Sequence, residues 1–329
     1  MKKLFNVLLM LLVLVFSMTA CSTTEEAEQK ADEKKSQSIK MKEDQSAKKE
    51  QADEKPGTIG PFWKITHNDN VVYMLGSIHV ATEDFYPLHE KIETAFDQST
   101  YLAVEADIFN MNQLQMQKEL EEKAKYADGK TLQADLPADL YSQLKSELQE
   151  YGINISMLNE YETWYISMVL EGLQAQKLGY DSELGIDYHF LKKEKDDKEI
   201  IELEGVTFQL DLFDQLSPEI QKKLIEVYFA EKKTAKENIE KLVTAWKSGN
   251  AEQLSQVLLE SEDDSEEYKQ FNEVFMDQRN KDMAVKIEEF LNSEEKGTYF
   301  VIVGAAHFVG ENGIVNILQN KGFTVEEQF

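Results

Sequence analysis

The same pattern occurs at Val71-Val-Tyr-Met-Leu-Gly-Ser-Ile-His79 and at Tyr299-Phe-Val-Ile-Val-Gly-Ala-Ala-His307: a short apolar run followed by Gly-x-x-His. A run of five β-branched, aromatic and apolar residues that stops at glycine predicts a buried strand followed by a sharp turn. Each histidine then falls just beyond the carboxyl end of a strand, where open α/β sheets bind ligands. The chain has five histidines, and the repetition favours a joint role for His79 and His307 over two unrelated structural histidines.

Working outward from these runs, the sequence predicts an α/β fold. A central mixed sheet comes from the N- and C-terminal segments, and a large helical middle section occupies about residues 110–295. We expect the strands at 71–75 and 101–104 to be neighbours, because consecutive strands usually are. The predicted strands are 62–66, 71–75, 101–104, 199–203, 299–303 and 323–325. The predicted helices are 87–96, 137–150, 157–178, 218–246, 265–292 and 312–320.

The N-terminal segment predicts export. Residues 1–20 combine a basic start with a short apolar run and small residues before Cys21, as in a lipoprotein signal peptide. Cys21 is the only cysteine, and we expect it to carry the lipid. An ordinary cleavage site with an incidental cysteine is the alternative. Residues 21–56 lack aromatic residues and are rich in charged ones, which predicts a disordered tether, and residues 57–329 form the folded domain.

The charge balance narrows the possible partners. The chain carries a formal net charge of −27, and almost all of it lies beyond residue 56. Such acidity argues against nucleic acid as a partner, because phosphate binding requires basic patches. An anionic membrane would repel the domain, so attachment must be covalent, through Cys21. We therefore expect a lipid-anchored protein on the extracytoplasmic face of the cell membrane.

A carboxylate is expected beside the two histidines. Glu105 directly follows the apolar run 101–104 and lies near His79 if the two strands are neighbours. Two imidazoles and one carboxylate suit zinc, manganese or cobalt with an open coordination position. The chain has no HExxH motif, and residues from distant strand ends have no diagnostic spacing. Acid–base catalysis by His79, Glu105 and His307 without a metal remains an alternative.

Arg279 is the single arginine among 35 basic residues. Its guanidinium is a planar, bidentate donor that lysine cannot replace. We expect Arg279 to hold a carboxylate, either of a substrate or of a catalytic acid, with a structural ion pair as the alternative. Asn280, the next residue, offers a further hydrogen bond.

Other acids have competing interpretations. Asp187, in Gly185-Ile-Asp187, precedes a predicted helix and is compatible with either a helix cap or a functional role. Glu202 and Glu204 lie at the end of the strand 199–203. Glu202 is interpreted as a solvated surface carboxylate.

Taken together, these residues resemble the TraB/GumN family, also called TraB/PrgY, which includes the Tiki proteases. The resemblance covers roughly residues 62–329 and rests on the order and spacing of six short motifs. They are Gly76-Ser-Ile-His79, Val104-Glu105-Ala-Asp107, Gly185-Ile-Asp187, Leu203-Glu204 with Gln209, Arg279-Asn280 with Met283, and Gly304-Ala-Ala-His307-Phe-Val-Gly310.

The resemblance implies a fold related to ChaN-like and erythromycin-esterase-like proteins. Tiki members are metal-dependent proteases of secreted polypeptides, and PrgY-type members antagonise peptide pheromones. By this resemblance, His79, Glu105 and His307 would hold a manganese, cobalt or zinc ion in a peptidase. Asp187 or Glu204 would then orient a ligand histidine. A non-catalytic protein that sequesters peptides, and a metal-free hydrolase, are the alternatives.

Overall fold

The computed structural model describes residues 57–109, 112–194, 197–259 and 265–329. It confirms an α/β fold in which a six-stranded mixed sheet is combined with a large helical section. The strands are β1 (Phe62–His67), β2 (Asn70–Ser77), β3 (Tyr101–Val104), β4 (Glu199–Glu202), β5 (Thr298–Gly304) and β6 (Glu326–Glu327).

The first two strands form a hairpin, with Phe62 opposite Leu75 and His67 opposite Asn70. Asn68 and Asp69 make the turn with positive φ angles of 49° and 65°. Asn and Asp tolerate this left-handed region better than other residues that carry a side chain, and two-residue hairpin loops require it. The short sequence between the two apolar runs therefore determines the connection.

The strand order is β4-β3-β5-β2-β1-β6. The expectation that β2 and β3 are neighbours was wrong, because β5 lies between them and pairs in parallel with both. After its first residue, β5 is buried along its whole length, and a strand apolar on both faces is most stable in the centre of a sheet. The last strand is Glu326–Glu327, paired with β1, and not 323–325 as predicted.

Helices occupy most of the chain between β3 and β5. In order, the helices are α1 (Glu90–Gln98), α2 (Gln113–Ala124), α3 (Leu132–Asp135), α4 (Ala138–Glu150), α5 (Thr163–Lys177), α6 (Ile186–Lys193), α7 (Val206–Asp214), α8 (Pro218–Glu231), α9 (Ala235–Lys247), α10 (Ala251–Leu259), α11 (Glu266–Asn272), α12 (Gln278–Asn292) and α13 (Ile314–Asn320).

Two predicted helices are interrupted. The predicted helix 218–246 is divided into α8 and α9, and a π-helical turn at Glu273–Asp277 separates α11 from α12. The helix predicted at 157–178 begins only at Thr163.

Apolar clusters cover both faces of the sheet. Phe300 and Ile302 of β5 point into one cluster, which contains Trp164, Phe190 and Trp246. Val301 and Val303 point into the other, which α12 and α13 cover. This alternation is the two-residue period of a strand. The sheet is thus held rigidly, and the loops at its carboxyl edge start from fixed positions.

Within the described ranges, none of the helices is both long and apolar enough to cross a membrane. The signal peptide predicted at 1–20, Cys21 and the tether predicted at 21–56 lie outside the described residues.

Candidate active site at the ends of three parallel strands

Parallel pairing brings the two Gly-x-x-His segments together. In the register of β2 and β5, Ser77 is the partner of Gly304. Both strands therefore end at the same level of the sheet. On the other side of β5, Val104 is the partner of Ile302. Glu105 therefore emerges beside the end of β5, although β2 and β3 do not touch.

Gly304 marks the point where the three predicted residues converge. A Cβ atom at this position would lie 3.3 Å from Oε1 of Glu105, 3.6 Å from Cδ2 of His307 and 3.7 Å from Nε2 of His79. All three side chains are buried. Glycine leaves this space open, and the structure thus surrounds one small volume with two imidazoles and a carboxylate.

Asp187 holds His79 in place. Its Oδ2 lies 2.6 Å from Nδ1 of His79. Burial alone would lower the pKa of His79, but the charge and hydrogen bond of Asp187 and the charge of Glu105 outweigh it and raise the pKa above 6.5. With Nδ1 engaged, Nε2 faces Gly304, is buried, and has no hydrogen-bond partner among the described residues.

The interpretation of Asp187 as a helix cap was wrong. Gly185 is the N-cap residue of α6, with no side-chain capping hydrogen bond. A Cβ at Gly185 would lie 2.5 Å from the carbonyl oxygen of His79, so glycine is needed for this close approach. Gly185 brings the start of α6 against the His79 segment, and Asp187 then reaches the imidazole.

His307 is held in the same way by Asn280. Nδ1 of His307 lies 2.6 Å from Oδ1 of Asn280, and Nδ2 of Asn280 donates to the carbonyl oxygen of Asn312. This second bond fixes the orientation of the amide, so Nδ1 of His307 is the donor and Nε2 the free nitrogen. Burial and the positive charge of Arg279 lower the pKa of His307 well below 6.5, and its imidazole is neutral.

Glu105 joins several elements. Its Oε1 accepts the backbone N–H of Gly304 at 2.6 Å, and its Oε2 accepts hydrogen bonds from Gln209 and Arg279, both at 2.9 Å. Burial raises the pKa of Glu105 above its usual 4.5, and the charge of Arg279 opposes this shift. The three donors all favour the ionised carboxylate.

Arg279 holds two carboxylates of the chain itself. Its Nε and Nη2 donate to the two carboxylate oxygens of Glu204, both at 2.7 Å, and Nη2 also donates to Glu105. Burial would lower the pKa of Arg279, but Glu204 and Glu105 raise it, so the charge is retained. Because Arg279 is 1% exposed and already donates to two carboxylates of the chain, it is not available to a substrate carboxylate.

The backbone before Arg279 is shaped for this role. The π-helical turn Glu273–Asp277 ends two residues earlier, and the carbonyl oxygen of Phe275 accepts a hydrogen bond from Nη1 of Arg279 at 3.1 Å. Single π turns within helices occur frequently at functional sites. The turn sets where Arg279 and Asn280 face the sheet.

Some residues differ from their predicted roles. Glu204 contacts Arg279 and Gln209, not a histidine. Glu202 is exposed, as expected of a solvated surface carboxylate, and its Oε1 also accepts the backbone N–H of Asp107 at 2.8 Å. Trp246 was missed: its Nε1 donates to the carbonyl oxygen of Gly76. A tryptophan in an amphipathic helix gives no sequence signal for such a bond.

The site offers part of the donor set that a metal needs. Each histidine presents Nε2 with Nδ1 held by an acceptor, as metal-binding histidines do. No group of three or more His, Cys, Asp or Glu side chains in the described part of the chain has the arrangement of a formed metal site. The reason is visible at Glu105, whose oxygens are turned to Gly304, Gln209 and Arg279. The residues present suit a metal held by two imidazole ligands, with a carboxylate beside it.

The chain is similar in sequence to several known proteins. YbaP of Escherichia coli (strain K12) and YbaP of Shigella flexneri, both described as uncharacterized, are each 29% identical over 248 residues, 75% of this chain and 87% of the relative. A "Metalloprotease TIKI homolog" of Amphimedon queenslandica is 40% identical over 47 residues, 14% of this chain and 9% of that protein. No solved structure matches. The TraB/PrgY/gumN family profile matches residues 61–327, which include every residue of the site. This chain belongs to the TraB/PrgY/gumN family.

Proposed function

We propose that this protein is a metal-dependent hydrolase of peptides, acting at the site formed by His79, Glu105 and His307. The observation that carries the proposal is the convergence of these three side chains within 4 Å of the open position at Gly304. The short similarity to a metalloprotease of the Tiki type supports metal and peptide chemistry.

The metal would be held by Nε2 of His79 and Nε2 of His307, with Glu105 as the carboxylate. Manganese, cobalt and zinc suit this donor set. Such a metal, when bound, supplies a water that is deprotonated near neutral pH. Glu105 lies close to the same volume, and its carboxylate would provide the negative charge that balances a divalent cation.

The surrounding side chains hold these groups rigid. Asp187 and Asn280 fix the two imidazole rings, while Arg279 and Gln209 fix Glu105. Burial keeps bulk water away and strengthens electrostatic interactions in the site. The absent side chain at Gly304 leaves room for a peptide carbonyl between the two histidines.

A metal-free hydrolase is the second candidate, and the pair of His79 and Asp187 favours it. The carboxylate 2.6 Å from Nδ1 stabilises the imidazolium that forms when Nε2 takes a proton from water. In that case His79 is the general base, and Glu105, which Arg279 holds in place, orients the reacting groups. Chelation separates the two candidates, since only the first requires a metal.

The experiment uses the full-length protein and a mixture of synthetic peptides, with cleavage followed by mass spectrometry. Loss of cleavage on chelation, with recovery on adding manganese, cobalt or zinc, supports the metal-dependent reaction. Cleavage that survives chelation but is lost in His79→Asn supports the metal-free reaction. His67→Asn, at the hairpin, is the matched control. Peptide binding without any cleavage overturns both and identifies a protein that sequesters peptides.

The location of the site is part of the proposal. A lipid on Cys21 and a tether over 21–56 would hold the domain at the extracytoplasmic face of the cell membrane. Radiolabelled palmitate should label the wild type in cells and should not label Cys21→Ser. Equal recovery of both proteins in the soluble fraction would contradict the anchor.

A further inference from the structure

A groove of about 510 Å³ begins one residue beyond His307. One wall is the loop of residues 308–311, and the others are faces of α10 and α13. Trp63 and Phe308 close the bottom, with ring centroids 5.0 Å apart. This volume lies within the range of about 300–1,000 Å³ that is usual for ligand pockets.

The charged side chains that line the groove are all acidic. Glu252, Glu311 and Glu327 line it, together with polar side chains such as Gln256 and Asn316, and no lysine, arginine or histidine is among the described lining residues. A concave surface with charges of one sign focuses the electrostatic field and concentrates ligands of the opposite charge. The net charge of −27 adds to the attraction of cations.

Hydrogen bonds link one wall of the groove to the candidate site. Asn280 binds Nδ1 of His307 with its oxygen and the carbonyl oxygen of Asn312 with its nitrogen. Asn312 directly follows the wall residue Glu311. A chain lying in the groove therefore contacts a loop that is fixed to the same amide that orients His307.

We infer that the groove binds a lysine- or arginine-bearing segment of the peptide substrate, so that a basic segment lies next to the bond facing His307. This inference rests on the proposed function and adds the class of substrate to it. The groove is lined by the loop 308–311, by Trp63 and by Glu327 of the edge strand β6, and an extended segment would lie between these walls. The carboxylates pair with the cationic side chains, and the polar residues meet the peptide backbone.

The test measures binding apart from turnover. Fluorescence anisotropy compares two labelled hexapeptides, glycine alternating with lysine and glycine alternating with glutamate, on the chelator-treated full-length protein. We expect at least about tenfold tighter binding of the lysine peptide, weakening as salt is added. Glu252→Gln with Glu311→Gln should reduce this affinity about fivefold to tenfold. Gln319→Trp, which fills the groove from α13, should reduce it without a change of charge.

The matched control is Asp139→Asn with Glu219→Gln, which removes the same charge from exposed positions on α4 and α8. It should leave the affinity within about twofold. An equal loss in this control, equal binding of both peptides, or displacement by spermine as effective as by the lysine peptide would overturn the inference, since each indicates diffuse charge attraction.

The outcomes separate the inference from the proposed function. Tight binding of the lysine peptide by a protein that cleaves nothing leaves the groove assignment standing and removes the hydrolase. Cleavage of peptides with no preference for lysine, unchanged in Glu311→Gln, removes the groove assignment alone.

Discussion

Nδ1 of His79 lies 2.6 Å from Oδ2 of Asp187, although 108 residues separate them in the chain. Both side chains are buried. The contact leaves Nε2 as the only nitrogen of His79 that is able to face a ligand, and it turns this atom towards Gly304. Asp187 thus acts on the ligand through His79.

Replacing this carboxylate should weaken metal binding without removing a ligand. Asp187→Asn keeps the shape but loses the charge that makes the imidazole a stronger ligand, so we expect the affinity for zinc to fall about 10–100-fold. Isothermal titration calorimetry measures this change. Asp139→Asn, on the exposed surface of α4, is the control and should bind zinc as the wild type does. Unchanged zinc affinity in Asp187→Asn would show that the contact has no role in binding.

Arg279 should be essential for stability as well as for the site. Lysine keeps the charge but cannot donate to Glu204 and Glu105 in a fixed fork, so Arg279→Lys leaves two buried carboxylates poorly paired. We expect a loss of about 3–5 kcal/mol in the free energy of unfolding. Lys281→Ala removes an exposed ion pair on the same helix and should cost about 1 kcal/mol or less. Similar losses in both urea unfolding curves would contradict the account.

A substitution at Gly304 tests whether the open volume at the centre of the site binds the ligand. A methyl group in Gly304→Ala would lie 3.3 Å from Oε1 of Glu105 and 3.7 Å from Nε2 of His79. The first contact is tight and the second is an ordinary van der Waals contact, and the methyl group would occupy the volume assigned to the ligand. We expect zinc binding to weaken while the midpoint of thermal unfolding falls by no more than about 2–4 °C, as for a loss of about 1 kcal/mol in a domain of this size. Normal zinc binding in this variant would place the ligand elsewhere.

The ionisation of Glu171 should make the free energy of unfolding depend on pH. This side chain of α5 is 1% exposed, its Oε2 has no hydrogen-bond partner among the described residues, and burial raises its pKa well above 4.5. In the unfolded chain the carboxyl group ionises near 4.5, whereas in the folded protein it stays protonated. Its contribution to stability is therefore fully present below about pH 4.5 and is lost as the pH rises towards the folded pKa.

Glu171→Gln removes this titration. Relative to the wild type, the variant should gain stability as the pH rises above about 4.5, and the difference should be smallest near pH 4. Urea unfolding at a series of pH values measures it. A constant difference at all pH values would mean that the carboxyl group does not titrate abnormally.

The parts of this structure that depend on short stretches were predictable from the sequence. The turn at Asn68 and Asp69 connects β1 and β2, and the two apolar runs before Gly-x-x-His form the central strands. Both features depend on residues within about ten positions of each other, where local backbone preferences and side-chain periodicity decide the outcome.

The order of the strands and the partners of the site residues were not predictable in this way. β5 lies between β2 and β3 because its two apolar faces are best buried in the centre, which is a property of the whole sheet. The contacts of Asp187 with His79 and of Gln209 with Glu105 cross about one hundred residues. No spacing in the sequence encodes them, since they depend on how helices pack on the sheet.

The central claim is that His79 and His307 together hold a divalent metal beside Glu105. The most direct measurement is the metal content of the full-length protein after chelation and reloading with zinc, determined by mass spectrometry of the ion. If His79 and His307 hold the metal, we expect about one equivalent of zinc in the wild type and in His67→Asn, and almost none in the double variant His79→Asn, His307→Asn. Equal zinc content in the wild type and the double variant would contradict it.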